Sequence, residues 1–285
     1  LNVSSVRVTR ELIDPEKVIG IVPADEVIMP KSYNEKWTSK YLGMINEAED
    51  LEWKTLNDRG MFSDPIDRDL LTPEQQKCVL RLNWLYKAKC DSKGLLARIK
   101  ARLVADGSRE QGLLDPGAVY TPVMMMTTVR AMLIAGIQDV EVRFHQLDVE
   151  NAYATAKCTR AIYVHYPQGR GPCDKKLLKR VLRLKMALYG VVDSGRTFYD
   201  EWLDYHLEMG FQPVHEDQCY LIYYVDGNQF IRICFHVDDN VISQRGEALW
   251  KWYQEQLALK YRYVLGPLVY CMGVDFHIDY TQGII

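Results

Sequence analysis

The chain has 285 residues, 48% of them hydrophobic, and a formal net charge of −3 from Lys+Arg 35 and Asp+Glu 38; this is enough apolar sequence for one large core or two smaller ones and excludes wholesale disorder. Seven cysteines with no CxxC pair and no histidine at ligand spacing argue against zinc and for a reducing, intracellular location. The most apolar stretch, residues 123–137, is interrupted by Arg130 and is too short to cross a bilayer, so a soluble protein without a membrane partner is expected.

The small negative charge is unevenly spread. Residues 1–75 hold 9 Lys+Arg against 15 Asp+Glu, which leaves 26 against 23 for the remainder. Residues 87–109 carry seven cations against Asp91 and Asp106, and residues 171–196 carry seven against Asp174 and Asp193. Such runs are more often solvated faces, so they permit a polyanion partner without demonstrating one.

Residues 1–35, broken by Pro15, Pro23 and Pro30, read as a connector. Residues 37–57 place Tyr41, Met44, Ile45, Ala48, Leu51 and Leu56 at a helical period, with Gly60 as the stop. Residues 79–89 and 95–104 read as strands joined by an Asp-Ser-Lys-Gly loop, a hairpin that would present Lys87, Lys89, Lys100 and Arg102 together. A helix is expected over 122–137, then a strand over 140–149 and a short one over 161–164, while 176–188 fits either state. Residues 195–209 read as an amphipathic helix closed by Gly210. Strands over 218–224 and 229–236 flank a turn at Asp226-Gly227-Asn228, and a further strand follows a tight turn placed at Asp238-Asp239-Asn240. A helix over 247–260 and two short strands end the chain. This order predicts an α+β fold with helices packed on one face of a mainly antiparallel sheet.

Asp and Asn are ordinary turn residues, and a plain hairpin would account for Asp238 and Asp239 one at a time. Hairpin geometry does not require two adjacent carboxylates, which repel one another. A divalent cation such as Mg²⁺ takes carboxylate oxygens, keeps positions open for phosphate oxygens and would relieve that repulsion. Asp148 ends another strand, and Tyr153 follows in a small-residue context, where core packing and contact with a nucleotide sugar are the two alternatives.

A set of segments carries a family resemblance: KARLVADG (100–107), YTPVMMMTTVR (120–130), HQLDVENAY (145–153), IYVHYPQG (162–169), ALYGVVDSGRTFYD (187–200), DQCYLI (217–222) and HVDDNVI (236–242). Their order and spacing resemble the reverse transcriptases of copia-type LTR retrotransposons, and NWLYKAKCDSKG (83–94) and LGPLVYCMGVDF (265–276) extend the likeness. It covers about residues 37–285, weakly before Val79 and closely after Lys100.

The resemblance implies an RNA-directed DNA polymerase of a Pol polyprotein, with a right-hand fold of fingers and palm. It divides the chain into a connector or upstream polyprotein segment (1–35), fingers with an N-terminal helix (36–130) and palm with a fingers insertion (131–285). It further implies that Asp148, Asp238 and Asp239 are catalytic and bind two Mg²⁺ ions, with Mn²⁺ able to substitute. Lys100, Arg102, Val149 and Tyr153 resemble dNTP-binding positions, with Tyr153 as the aromatic gate against a ribose 2′-hydroxyl. Gly190, Arg196 and His236 resemble positions that support template and primer. Implied partners are an RNA or DNA template with primer, dNTPs, and other parts of a polyprotein such as integrase and RNase H; a cytoplasmic site, including virus-like particles, would follow.

Three residues depart from the family pattern. Asp106 stands where a basic residue is usual, Asp193 adds charge after Leu-Tyr-Gly, and His236 replaces the aromatic before Val-Asp-Asp. The chain also stops soon after the palm-like segments, without sequence expected for a thumb or an RNase H domain, which suits a fragment or an eroded copy. The alternatives to an active polymerase are therefore an inactive, element-derived remnant that folds or binds nucleic acid, and an α+β interaction module in which each carboxylate is only a turn residue.

Overall fold

The computed structural model describes residues 13–110, 114–171, 179–226 and 228–285. In chain order they form α1 (Leu42–Asp58), β1 (Ile66–Asp67), α2 (Pro73–Lys77), β2 (Leu82–Cys90), β3 (Leu96–Ala105), α3 (Pro116–Val119), α4 (Met126–Ile137), β4 (Arg143–Val149), β5 (Lys157–Val164), β6 (Arg180–Met186), α5 (Ser194–Glu208), β7 (Gln212–Val214), β8 (Asp217–Val225), β9 (Gln229–His236), β10 (Asp239–Arg245), α6 (Glu247–Ala258), β11 (Tyr263–Pro267), β12 (Tyr270–Cys271) and β13 (Val274–Asp275). Contacts divide the chain into two compact units, one of residues 1–111 with Arg160–Val191 and one of Gly112–Thr159 with Val192–Ile285. Cys173 and Gly227 lie outside the described residues, as do 172–178 of the second basic segment; the six described cysteines are free thiols.

In the first unit β2 and β3 pair as a hairpin, and β1, β6 and β5 form a three-stranded sheet in that order. Asp91 closes the hairpin loop by accepting hydrogen bonds from the Lys93 and Leu95 amides, and Gly94 (φ 79°) supplies the left-handed residue. Helix α1 packs on β3 through Met44 and Ile45, with Leu96 and Ile99 opposite. The helix ends as its glycine predicts. Gly60 (φ 68°) donates to Asn57 O and the Met61 amide donates to Leu56 O, the bond pair of a Schellman motif. Residues 13–35, expected as a connector, contribute Val18 and Val27 to this same core, both buried.

The second unit is organised by a six-stranded sheet in the order β11-β4-β10-β9-β8-β7, with antiparallel pairing throughout. Helices cover both faces of it, not one as expected. Tyr199 and Trp202 of α5 meet Phe235, and Trp250 of α6 stacks on His145 at 4.4 Å. The opposite face receives α4, where Met132 Sδ lies 4.0 Å from Cys234 Sγ and Gly136 sits against the Phe144 ring. The reason lies in β10. Its residues 240–244 are all buried, so both of its faces need cover. Helix α5 ends in a second Schellman motif, with Gly210 (φ 95°) donating to Leu207 O and Phe211 to His206 O. Helix α4 starts at Met126, later than expected, because Met125 is extended and donates its amide to Asp217. The ambiguous residues 176–188 contain strand β6.

Candidate active site

Strands β9 and β10 are joined by a two-residue loop, Val237-Asp238, closed by the cross-strand pair His236 and Asp239. The turn therefore lies one residue earlier than the sequence suggested. Asp239 is the first residue of β10 and Asn240 is fully buried within it. Val237 has φ 54°, a left-handed conformation that β-branched residues rarely adopt. Glycine would be unstrained there, so the surrounding pairing must hold the valine in place.

On its other edge β10 pairs with β4, and Asp239 stands directly opposite Asp148. The Val149 amide donates to Asp238 O at 3.1 Å. That bond makes Asp148 and Asp239 a non-hydrogen-bonded antiparallel pair, with Cα atoms about 4.5 Å apart and side chains on one face of the sheet. Asp148 is exposed, whereas Asp238 and Asp239 are half-buried. The Asp239 carboxyl is held above the usual carboxylate range, first by burial and then by the adjacent Asp238 charge, with His236 acting against both. Two neighbouring acids and a third across the strand thus crowd negative charge at one sheet end. Among the described residues no three His, Cys, Asp or Glu side chains converge into a ready-made metal cage. The donor set is still hard oxygen, and its mutual repulsion is what a divalent cation relieves.

The same sheet end carries Val149, buried opposite Tyr263, and leads through Asn151 (φ 53°) into a 3-10 turn over Ala152–Thr155. Tyr153 sits on that turn, half-buried, with its ring edge-on to Phe198 at 6.4 Å. Arg196, on α5, forms an ion pair with Asp200 at 2.8 Å and lies over the Tyr199 ring.

Lys100, Arg102 and Gly190 belong to the first unit. On the solvent face of the β2–β3 hairpin Lys87 is opposite Lys100 and Lys89 opposite Arg98, two consecutive like-charged cross-strand pairs. Lys87, Lys89, Lys100 and Arg102 line one groove of 450 Å³ together with Lys31, whose participation the sequence did not suggest. Burial and the nearby Arg102 lower the Lys100 ammonium pKa, with Glu52 opposing. Arg102 also stacks over Tyr189 at 4.8 Å. Gly190 (φ 88°) follows, and a Cβ there would collide with the Ala105 carbonyl oxygen. Of the departures noted in the sequence, Asp106 accepts from the amide and hydroxyl of Ser108, and Asp193 is buried at the start of α5.

No helix among the described residues is long and apolar enough to cross a membrane. The profile of a family described as reverse transcriptase (RNA-dependent DNA polymerase) matches residues 69–285. The chain is 28% identical over 221 residues to a retrovirus-related Pol polyprotein from transposon TNT 1-94 of Nicotiana tabacum, covering 77% of this chain and 16% of that protein. It is 31% identical over 189 residues to the retrovirus-related Pol polyprotein from transposon RE2 of Arabidopsis thaliana, covering 66% and 13%. It is 26% identical over 229 residues to the Transposon Ty1-DR4 Gag-Pol polyprotein of Saccharomyces cerevisiae, covering 80% and 13%. The chain thus spans less than a fifth of the length of these relatives. The matched profile and the transposon Pol relatives establish that this chain belongs to the reverse transcriptase family, as a copia-type RNA-directed DNA polymerase domain.

Proposed function

We propose that the chain is the fingers and palm of a right-hand polymerase that extends a primer on an RNA or DNA template by two-metal nucleotidyl transfer. The observation that carries this reading is the cross-strand opposition of Asp148 and Asp239 with Asp238 on the adjoining turn. When bound, two Mg²⁺ ions would activate the primer 3′-hydroxyl and neutralise the triphosphate. Asp148, Asp238 and Asp239 supply the carboxylate oxygens, and their shared sheet end keeps them within reach of one another. Lys100 and Arg102 compensate triphosphate charge, one as a point charge and the other through a planar fork. Tyr153 lies beneath the incoming sugar, and Val149, whose side chain is buried on the other face of β4 from Asp148, contributes through its backbone. Gly190 holds its loop against β3, Arg196 supports the template from α5, and His236 lies beneath the primer end beside Asp239. Transfer joins the 3′-oxygen to the α-phosphorus and releases pyrophosphate.

The test is primer extension by the isolated chain on RNA and DNA templates with Mg²⁺ or Mn²⁺. Asp238→Asn should lower the rate by about 10²–10³-fold or more, the scale expected when one charge-stabilising group is removed. Its melting temperature should not fall, because the substitution removes repulsion with Asp239. Primer-template binding with no extension by the unaltered chain would replace this reading with that of an inactive nucleic-acid-binding remnant.

A further inference from the structure

Asn240 is a polar residue in a strand position whose cross-strand partners, Leu147 and Phe235, are buried and apolar. It is fully buried itself. Its side-chain Nδ2 donates to Leu147 O at 3.2 Å and to Asp238 O at 2.9 Å. Both neighbours are backbone carbonyls, which only accept, so the orientation of the amide is set by its partners. The other end of the group has no such match, for Oδ1 is buried without a hydrogen-bond partner among the described residues. A buried acceptor left unmatched offsets much of what the two donated bonds contribute. Measured by stability alone, an apolar side chain would serve this position as well.

What the amide does distinctively is topological. Leu147 immediately precedes Asp148 on β4, and Asp238 is the turn residue between the strained Val237 and Asp239. One NH₂ group therefore ties the backbone beside one acid to the backbone of another, across two strands. The Asp238 carbonyl is held twice, by Asn240 Nδ2 and by the Val149 amide. A left-handed valine persists only where its surroundings over-determine it, and these bonds lie on the next residue.

We propose that Asn240 is a positioning residue that keeps the Val237-Asp238 turn closed on β4 and so sets where Asp238 sits relative to Asp148. The functional part of this proposal rests on the polymerase reading; the structural part does not. The substitution that separates positioning from packing is Asn240→Leu, which keeps the branching and the number of side-chain heavy atoms, is somewhat larger, and removes both the two donated bonds and the orphaned oxygen. Asn240→Val, nearer asparagine in volume and suited to a strand, is the second variant should leucine fit poorly.

Hydrogen exchange on the metal-free protein provides the first measurement. The Val149 amide and residues 236–239 should exchange about five- to ten-fold faster in the variant, the scale of one net hydrogen bond, while the melting temperature is unchanged or higher. Primer extension is the second: kcat should fall by about ten-fold or more with KM for dNTP within about two-fold, the pattern of an interaction that matters in the transition state. Unchanged exchange at Val149 would overturn the proposal, as would unchanged kcat alongside faster exchange. Parallel loss of stability and activity in both variants would also overturn it, because the amide would then be a packing requirement. Absence of extension by the unaltered chain would instead defeat the polymerase reading, and the exchange measurement would still decide whether Asn240 holds the turn.

Discussion

Tyr153 and His206 show how differently two aromatic side chains are committed. Tyr153 is half-buried, its ring edge-on to Phe198, and the partial burial means that Tyr153→Ala should cost less than the about 3–5 kcal/mol of a fully buried aromatic. If the ring excludes a 2′-hydroxyl, the same variant should incorporate ribonucleotides more readily relative to deoxyribonucleotides, a discrimination built as a penalty against the wrong sugar. An active variant with unchanged sugar selectivity would refute the gate, and a melting curve separates that result from unfolding. His206 is fully buried, with Nδ1 2.8 Å from Trp202 O and Nε2 3.0 Å from Tyr253 Oη. Burial pushes its pKa down to about 4. Above pH 6.5 the imidazole is neutral in both folded and unfolded chains and pH has no leverage. As pH falls from 6.5 toward 4 only the unfolded chain takes up the proton, so stability is lost across that window, by on the order of 3 kcal/mol. Urea unfolding between pH 8 and 4 should show this loss, and His206→Gln should remove its share, leaving that of His145, whose pKa burial likewise lowers to about 4.

At the level of elements, glycines separate conformational strain from collision. Gly60 and Gly190 both have positive φ, but a Cβ at Gly60 meets open space whereas one at Gly190 strikes the Ala105 carbonyl oxygen. Gly60→Ala should therefore cost only the left-handed penalty, about 1–2 kcal/mol. Gly190→Ala must displace either its own loop or β3, the strand that carries Lys100 and Arg102, and should destabilise by clearly more in the same unfolding measurement. The hairpin and both Schellman ends were legible in the sequence because each depends on a few adjacent residues: the Asp91–Gly94 loop, Gly60 and Gly210. The start of α4 was not, since it is set by an Asp217 carboxylate 92 residues away in the chain that accepts from the Met125 amide.

For the whole molecule, the net charge of −3 is a poor guide to partners, because acids are concentrated in residues 1–75 and cations on the β2–β3 face. Binding of primer-template should weaken steeply with salt despite the net charge. Replacing Lys87 and Lys89 by alanine should weaken binding on all sequences alike and make the log–log salt slope shallower by about one per cation that contacts phosphate. A slope unchanged in the double variant would remove these lysines from the interface. The matched profile begins at residue 69, yet Val18, Val27, Met44 and Ile45 upstream of it complete the core beneath the hairpin. The part played by Val18 and Val27 had no signal in a stretch broken by three prolines, whereas helical spacing already marked Met44 and Ile45.

The sequence by itself determined which residues are charged, where helices stop, which strands are joined by tight loops, and the ordered motifs that mark the family. These are properties of neighbours along the chain, and local propensity or spacing is enough to read them. Only the tertiary structure decided that Asp239 is a strand residue facing Asp148, that Asn240 is buried between β4 and β9, and that helices lie on both faces of the sheet. An alternating pattern states which side chains share a face but not which strand they will meet. The register that sets Asp239 against Asp148 comes from burying β10 on both faces between strands far apart in the chain, and no local pattern encodes that partner.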